Sequence, residues 1–324
     1  MSHPYDSLTP DAVIDAVEST GLLSDLRLLA LNSFENRVYQ VGIEAEQPII
    51  AKFYRPERWS DAQILEEHEF ARELVEAELS VVAPLAINGK TLHHAGGFRM
   101  ALFPRRGGFP PELDNFDNLL MLGRMLGRLH RVGASRRFAY RESLDIDERL
   151  TANRHYLTAH WIPTELRPAW ETLTEDLDTA VRAALTDYRV SDQIRLHGDC
   201  HAGNILWRDD IAHIVDLDDC ISGPAIQDLW MCLSGERPHR ELQLAELIAG
   251  YEEFMDFDPR QLRWIEALRT VRMIRHSAWI ARRWGDPAFP KAFPWFDQPR
   301  YWSDQILGLR EQLAALQEPP LRLL

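Results

Sequence analysis

Residues 194–219 read IRLHGDCHAGNILWRDDIAHIVDLDD, and their pattern is the most informative in the chain. A β-rich run leads into a loop in which Asp199 precedes Asn204 by five positions. Asp216 follows twelve positions later, at the end of a second apolar run. The pattern predicts a tight loop and a hairpin that bring one aspartate, one asparagine and a second aspartate to the same place.

The same order of side chains occurs in protein kinases. There, one carboxylate lies beside the attacking hydroxyl, while an amide oxygen and a second carboxylate share the magnesium that bridges the ATP phosphates. The spacing therefore predicts that Asp199 is the catalytic base and that Asn204 and Asp216 are the metal ligands.

A kinase also needs a cation on the phosphates. Lys52, in the β-rich run IIAKFY, resembles the strand lysine that serves this purpose. A carboxylate from the following helix holds that lysine in kinases. Glu66, Glu67 and Glu69 all lie in the predicted helix, and the distance to the following strand favours Glu67. This ordered set predicts a phosphotransferase.

The composition argues against several classes of protein. The chain has 324 residues and a formal net charge of −14, so bulk attraction to nucleic acid or to an anionic membrane is not expected. Three scattered cysteines do not make a disulfide scaffold. We expect neither a signal peptide nor a membrane-spanning helix, because no suitable apolar run occurs. The expectation is a cytoplasmic protein that acts as a monomer.

Hydrophobic periodicity changes along the chain. Strands are predicted at residues 37–43, 48–54, 81–87 and 98–104. Helices are predicted at residues 10–20, 60–79 (with Ser60 as the N-cap), 119–133, 164–187 and 239–284. Gly123 and Gly127, four positions apart, suit close packing of their helix.

A Gly- and Pro-containing segment at 104–111 marks the boundary between two lobes. We predict a nucleotide-binding lobe at 1–103 and a helical catalytic and substrate lobe at 104–324. The expected fold class is α+β, a two-lobed eukaryotic-like protein kinase fold with a small β-rich first lobe and one main helix in it.

Longer motifs resemble a known family. LHGDCHAGNILW, IVDLDD and GPAIQDLWM are similar to the aminoglycoside phosphotransferase and choline kinase superfamily, in which HGD stands where protein kinases have HRD. SFENRVYQV, WSDAQILEEHEFA, RRWGDPAFPKAFPWF and LQEPPL resemble the bacterial stress response kinase A family still more closely. The likeness covers nearly the whole chain. It implies ATP, Mg²⁺, phosphorylation of serine or threonine in protein substrates, and a role in stress survival.

The resemblance extends to individual residues. It implies the roles given above to Lys52, Asp199, Asn204 and Asp216. It also implies that His197 anchors the catalytic loop and that Asp228, in QDLW, braces the loop from a helix.

This chain departs from classical protein kinases at the phosphate-covering loop. No G-x-G-x-x-G motif is present, and residues 32–41 (NSFENRVYQV) take its place. Ser33, Glu35 and Asn36 offer polar groups and a turn there. Position along the chain predicts that backbone groups of the connection between the lobes, near Met100 to Phe103, bind adenine.

Two alternatives concern the substrate and the activity. A small-molecule kinase of the same fold would act on an aminoglycoside, choline or a homoserine-like compound, and Asp218 and Asp219 could line an acidic cleft for a cation. A pseudokinase would serve as a binding scaffold, but none of the lysine, the base and the metal ligands is missing.

Two further hypotheses concern metal and redox chemistry. His197 and His201, with Cys200 between them, could suggest zinc, although the glycines beside them argue against a shared helix face. Cys200 and Cys220 flank the predicted aspartates, and their oxidation could lower activity.

Overall fold

An antiparallel sheet and two helices form the first lobe of the computed structural model, which describes residues 3–323. The strands are β1 (Ser24–Ala30), β2 (Arg37–Ile43), β3 (Ile49–Phe53), β4 (His93–Ala95) and β5 (Phe98–Pro104). They lie in the order β1-β2-β3-β5-β4. The helices are α1 (Pro10–Glu18), which packs on the apolar core of the sheet, and α2 (Asp61–Glu76).

The central strand β3 carries the predicted lysine. Lys52 pairs with Val38 of β2 and with Ala101 of β5. Its neighbours Ala51 and Phe53 belong to the apolar core of this lobe. Because successive side chains of a strand point to opposite faces, Lys52 faces away from that core.

Helix α2 begins at a complete capping box. Ser60 Oγ accepts a hydrogen bond from Gln63 N at 3.3 Å, and Gln63 Oε1 accepts one from Ser60 N at 2.9 Å. Each bond satisfies a backbone N–H that the first turn would otherwise leave open. Ser60 is thus confirmed as the N-cap. The fixed start of the helix also determines which of its faces carries Glu67.

One predicted strand is wrong. Residues 81–87 make isolated bridges, one of them to Ile214 in the second lobe, and do not form a strand. Pro84 has no N–H to donate to a ladder, which disfavours a central strand. The short β4 pairs with β5 in its place.

The second lobe is mostly helical. Its helices are α3 (Phe116–Gly133), α4 (Asn153–His160), α5 (Arg167–Ala184), α6 (Ile226–Leu229), α7 (Arg237–Glu252), α8 (Ile265–Arg282), α9 (Ala288–Ala292) and α10 (Pro299–Gln317). Its strands are β6 (Ile194–Leu196), β7 (Ile205–Arg208), β8 (Ile211–Ile214) and β9 (Ile221–Gly223), with β6 paired to β9 and β7 to β8. Between residues 3 and 323, no helix is long and apolar enough to cross a membrane. The lobe boundary after residue 103 stays a prediction.

Helices α3 and α7 meet through their backbones. A Cβ at Gly123 would lie 2.0 Å from Leu247 O, and one at Gly127 would lie 2.5 Å from another carbonyl oxygen of α7. From the opposite side, a Cβ at Gly250 would lie 2.0 Å from Leu120 O. No side chain fits at these crossings, which confirms the predicted close packing.

Replacing Gly250 with alanine should destabilise the protein, because the added methyl group forces α3 and α7 apart. The expected loss in the free energy of unfolding is about 1–3 kcal/mol, the usual cost of overpacking. Gly308→Ala, in α10, is the matched control, because its Cβ would lie an ordinary 3.8 Å from Met273 Cε. Thermal unfolding compares the three proteins. Equal midpoints for wild type and Gly250→Ala would contradict the backbone contact.

Candidate active site

A buried aspartate holds the loop that follows β6. The carboxylate of Asp228, in α6, accepts the backbone N–H groups of His197 and Gly198 at 2.9 Å each. His130 Nε2 lies 3.1 Å from the same carboxylate. Gly198 has φ +85°, and a Cβ there would lie 2.2 Å from Asp219 O. A left-handed glycine and a carboxylate with two amide donors therefore fix the path of the loop.

The imidazole of His197 links this loop to the residue that follows the strand β8. Its Nε2 lies 2.9 Å from Val215 O, and its Nδ1 accepts a hydrogen bond from Asp199 N at 3.3 Å. The ring is fully buried. His197 thus connects the backbone at Asp199 to the backbone just before Asp216, as an anchoring residue should.

The predicted metal ligands, Asn204 and Asp216, line a cavity between the two lobes. Asn204 Nδ2 donates to Asp199 O at 2.9 Å, which leaves the amide oxygen of Asn204 available to a cation. Asp216 has a left-handed backbone, with φ +60°, and its side chain is about half exposed. An amide oxygen and a carboxylate are hard donors of the kind that Mg²⁺ prefers, so these residues fit that ion.

Lys52 is buried among three carboxylates. Its Nζ lies 3.0 Å from Asp216 Oδ1, 3.1 Å from Asp218 Oδ1 and 3.6 Å from Glu67 Oε1. Burial alone would lower the pKa of Lys52, but the three carboxylates outweigh it and raise this pKa well above its ordinary value. Lys52 is therefore a fixed positive charge in the cavity.

Glu67 is the glutamate of α2 that contacts Lys52. Its other oxygen lies 3.4 Å from Arg141 Nη2, and the same nitrogen donates to Asp218 O at 2.7 Å. Burial raises the pKa of the Glu67 carboxyl, against the lowering effect of Lys52. The guanidinium of Arg141 lies 4.4 Å from the ring centroid of Trp59, so a buried arginine supports the lysine–glutamate pair from behind.

Asp218 and Asp219 do not form an open acidic cleft. Arg58 donates to both carboxylates, with a distance of 2.9 Å to Asp219 Oδ1. Arg275 Nη2 donates to the same oxygen at 3.0 Å. Burial acts to raise the pKa of Asp218, but Lys52 and Arg58 outweigh it and lower this pKa to about 2. Both carboxylates are ionised and paired with cations.

The cavity between the lobes has a volume of about 850 Å³. Its charged lining includes Lys52, Arg58, Glu67, Asp218 and Asp219. Its apolar lining comes from both lobes: Val38, Ile50, Val82, Pro84, Phe103, Leu206 and Val215. Phe103 is thus at the cavity, as predicted. The side chain of Met100 is fully buried in the core of the sheet, and an adenine contact of its backbone stays a prediction.

Side chains, rather than glycines, determine the position of the loop at residues 32–36. Glu35 accepts hydrogen bonds from Trp279 Nε1 at 2.5 Å and from Arg283 Nη2 at 2.9 Å. Arg55 Nε lies 3.1 Å from the same carboxylate. Trp279 belongs to α8 and Arg283 follows its last residue, so Glu35 ties the first lobe to the second.

The other two predicted loop residues also line the cavity. Ser33 Oγ donates to Asn36 O at 3.0 Å, and Asn36 Oδ1 accepts the backbone N–H of Arg55 at 3.1 Å. Their polar side-chain atoms therefore shape the loop itself.

The predicted base contacts an arginine that no sequence motif indicates. Arg272 Nη1, in α8, donates to Asp199 Oδ1, and His201 Nε2 lies 3.5 Å from Asp199 Oδ2. Burial acts to raise the pKa of Asp199, but His201 and Arg272 outweigh it, and the pKa lies below its ordinary value. Asp199 is therefore ionised at neutral pH.

The structure does not favour the redox or the zinc hypothesis. Cys200 and Cys220 are fully buried. Burial raises the pKa of Cys220 to about 12 and that of Cys200 well above its ordinary value, so both thiols are protonated and shielded. Among the residues that the structure describes, no group of three His, Cys, Asp or Glu side chains is placed to share a metal ion.

The fold and the cavity define a two-lobed kinase, as predicted. Solved structures share this fold. An amicoumacin kinase superposes with a TM-score of 0.74 at 19% identity, covering 94% of this chain and 93% of its own. A microcompartment-associated aminopropanol kinase superposes with a TM-score of 0.71 at 19% identity, covering 96% and 99%.

Sequence comparison gives the family. The phosphotransferase enzyme family matches residues 27–265. Stress response kinase A of Escherichia coli (strain K12) is 47% identical over 321 residues, which cover 98% of this chain and 97% of that protein. Serine/threonine protein kinase RdoA of Salmonella typhimurium matches with the same identity and coverage. The chain belongs to the phosphotransferase enzyme family and, within it, to the stress response kinase A family, which confirms the resemblance.

Replacing Asp228 with alanine should destabilise the loop that follows β6, because the N–H groups of His197 and Gly198 lose their buried acceptor. The expected cost is about 1–3 kcal/mol of unfolding free energy for each donor. Asp228→Asn keeps one oxygen acceptor and should lose less. Urea unfolding of the three proteins measures the order. An alanine variant as stable as the asparagine variant would show that the carboxylate does not brace the loop.

A buried histidine makes the free energy of unfolding depend on pH. His68 lies in α2, with Nε2 2.8 Å from Tyr54 Oη and Nδ1 2.8 Å from Thr91 Oγ1. Burial, followed by the charges of Lys52 and Arg141, lowers the pKa of His68 from 6.5 to about 3. The folded protein therefore keeps this imidazole neutral at pH values where the unfolded chain protonates it.

The contribution of His68 to stability should be complete above about pH 6.5 and should decline on acidification by about 1.4 kcal/mol per pH unit, down to about pH 3. His68→Gln should flatten this decline. Denaturation at a series of pH values between 7 and 4 measures the slope. His155→Gln, at an exposed position, is the control and should keep the wild-type slope. Parallel curves for His68→Gln and wild type would contradict the buried neutral state.

Proposed function

We propose that this protein is an ATP- and Mg²⁺-dependent serine/threonine protein kinase of the bacterial stress response. The observation that carries the proposal is the 47% identity, over 98% of the chain, to proteins named stress response kinase A and serine/threonine protein kinase RdoA. The amicoumacin kinase with the same fold was crystallised with AMP-PNP and Ca²⁺, which supports the use of a nucleotide and a divalent cation. A cytoplasmic location and a monomeric state stay predictions.

The cavity offers separate partners to the parts of ATP. Its apolar lining, which includes Phe103, suits the adenine ring. Lys52, held by Glu67, binds phosphate oxygens with its fixed charge. Asn204 and Asp216 would hold Mg²⁺, which supplies charge neutralisation for the transferring phosphoryl group.

Asp199 orients the acceptor hydroxyl in this mechanism. Because its pKa is lowered, it is a weak base, and it accepts the proton late, when the bond to phosphorus is already forming. A loose transition state needs little more than this, since phosphoryl transfer depends mainly on positioning and on electrostatic stabilisation. Asp228 and His197 supply the positioning by fixing the loop that carries Asp199.

A cationic small molecule is a poorer acceptor for this cavity. The carboxylates that line it each have a cationic partner: Glu35, Glu67, Asp199, Asp216, Asp218 and Asp219. Choline or an aminoglycoside would have to displace a bound arginine or lysine. If the substrate is a small molecule, we therefore expect a compound without net positive charge, such as one resembling homoserine.

Asp199→Asn should keep the fold and nucleotide binding but lose most phosphoryl transfer, by about 10²–10⁴-fold for a missing proton acceptor. Asp209→Asn is the matched control, because Asp209 lies in the exposed turn between β7 and β8 and should transfer at the wild-type rate. The measurement uses γ-labelled ATP, Mg²⁺ and a bacterial lysate divided into protein and small-molecule fractions.

Label on serine or threonine of proteins that appears with wild type and Asp209→Asn, and disappears with Asp199→Asn, would support the proposal. Label confined to the small-molecule fraction would overturn the protein-kinase assignment and leave a small-molecule kinase. ATP binding without transfer to either fraction would indicate the pseudokinase alternative. A normal rate in Asp199→Asn would refute the assignment of the base.

A further inference from the structure

One face of α8 carries positive charge into the cavity. Arg272, Arg275, His276 and Trp279 all line it. Residues three, four and seven positions apart lie on the same side of a helix, so these side chains form one continuous surface. This surface is basic in a chain whose formal net charge is −14.

The two arginines use only part of their hydrogen-bonding capacity. Arg272 Nη1 donates to Asp199 Oδ1, and Arg275 Nη2 donates to Asp219 Oδ1 at 3.0 Å. Each side chain is 34% exposed. A guanidinium has five N–H donors, and within residues 3–323 the remaining donors of these two side chains have no acceptor. They are available to a ligand in the cavity.

The position of these donors determines which ligand they meet. Arg272 contacts the carboxylate that orients the acceptor hydroxyl in the proposed mechanism. Arg275 lies one helical turn farther along α8. A group bound by both arginines is therefore a near neighbour of the hydroxyl in the acceptor molecule. The planar fork of an arginine matches a carboxylate, with which it forms paired, charge-assisted hydrogen bonds.

We propose that Arg272 and Arg275 form an acid-binding subsite, and that the acceptor is a serine or threonine flanked by aspartate or glutamate. This inference rests on the proposed function as a protein kinase. It adds the class of substrate segment that the site selects. Arg275 is a specificity-determining residue, because it binds the flanking acid and has no contact with Asp199.

The test uses three peptides of equal length with a single serine, flanked by aspartates, by alanines or by lysines. The full-length protein, γ-labelled ATP and Mg²⁺ give kcat and KM for each peptide. We expect the acidic peptide to exceed the neutral one in kcat/KM by about ten- to hundred-fold, the usual effect of hydrogen bonds to a charged group. Higher salt should raise KM for the acidic peptide more than for the neutral one.

Arg275→Gln should bring the ratio of acidic to neutral kcat/KM close to one, mainly through KM for the acidic peptide. Arg275→Lys keeps the charge but not the fork, and should retain part of the preference. Arg300→Gln is the matched control, because Arg300 lies in α10 with a side chain that is 90% exposed. That variant should keep both the rate and the preference of the wild type.

The outcomes separate this inference from the proposed function. Equal labelling of all three peptides by wild type, or a preference for the basic peptide, would overturn the subsite and leave the protein kinase intact. An equal loss for all peptides in Arg275→Gln, with a raised KM for ATP, would mean that the arginine binds nucleotide phosphate, which also overturns it. If no peptide or lysate protein is labelled while the small-molecule fraction is, the proposed function fails and this inference fails with it.

Discussion

The burial of one ammonium group determines much of this structure. Lys52 is 5% exposed and lies at the centre of a sheet, where a lone positive charge would be strongly unfavourable. Its compensation comes from Glu67 in the first lobe and from Asp216 and Asp218 in the second. Because Lys52 needs carboxylates from both lobes, its ion pairs hold the two lobes together. The cavity surrounds these ion pairs.

The same charge explains the surrounding arginines. Carboxylates brought in to compensate Lys52 need partners of their own, since several negative charges lie close together. Arg141 supports Glu67 and Arg58 supports Asp218. The cavity of an acidic protein is therefore nearly balanced in charge. A cleft that binds a cation would instead carry unpaired negative charge, even though the two kinds of site can occur in the same fold.

The sequence predicted those parts of the site that depend on short spacing. Asp199 and Asn204 lie in one loop, and Asp216 follows the next hairpin. Their spacing along the chain is therefore enough to predict that they lie close together. The distance along the chain to the following strand favours Glu67 among the neighbouring glutamates, and Glu67 Oε1 lies 3.6 Å from Lys52 Nζ. Arg272 lies more than seventy positions from Asp199 in a helix rich in arginine. Its spacing does not distinguish Arg272 from the other arginines of α8. Only the packing of α8 against the loop places Arg272 beside Asp199.

The differences between the predicted and the observed strands also have physical causes. Residues 81–87 have the apolar pattern of a strand, but a proline and their contact with the second lobe keep them irregular. β1 was not predicted, because Leu26 and Leu29 are exposed and its pairing with β2 is irregular, which hides the usual alternation. The glycine contacts between α3 and α7 were predictable because Gly123 and Gly127 stand at helical spacing.

The tie between Glu35 and α8 has a mechanical consequence. A glycine-rich cover bends by itself, whereas residues 32–36 are attached to the same helix that presents Arg272 beside Asp199. Two walls of the cavity, the loop at residues 32–36 and the arginine beside Asp199, are thus held by one helix. A movement of that loop that keeps the bonds of Glu35 intact has to carry α8 with it.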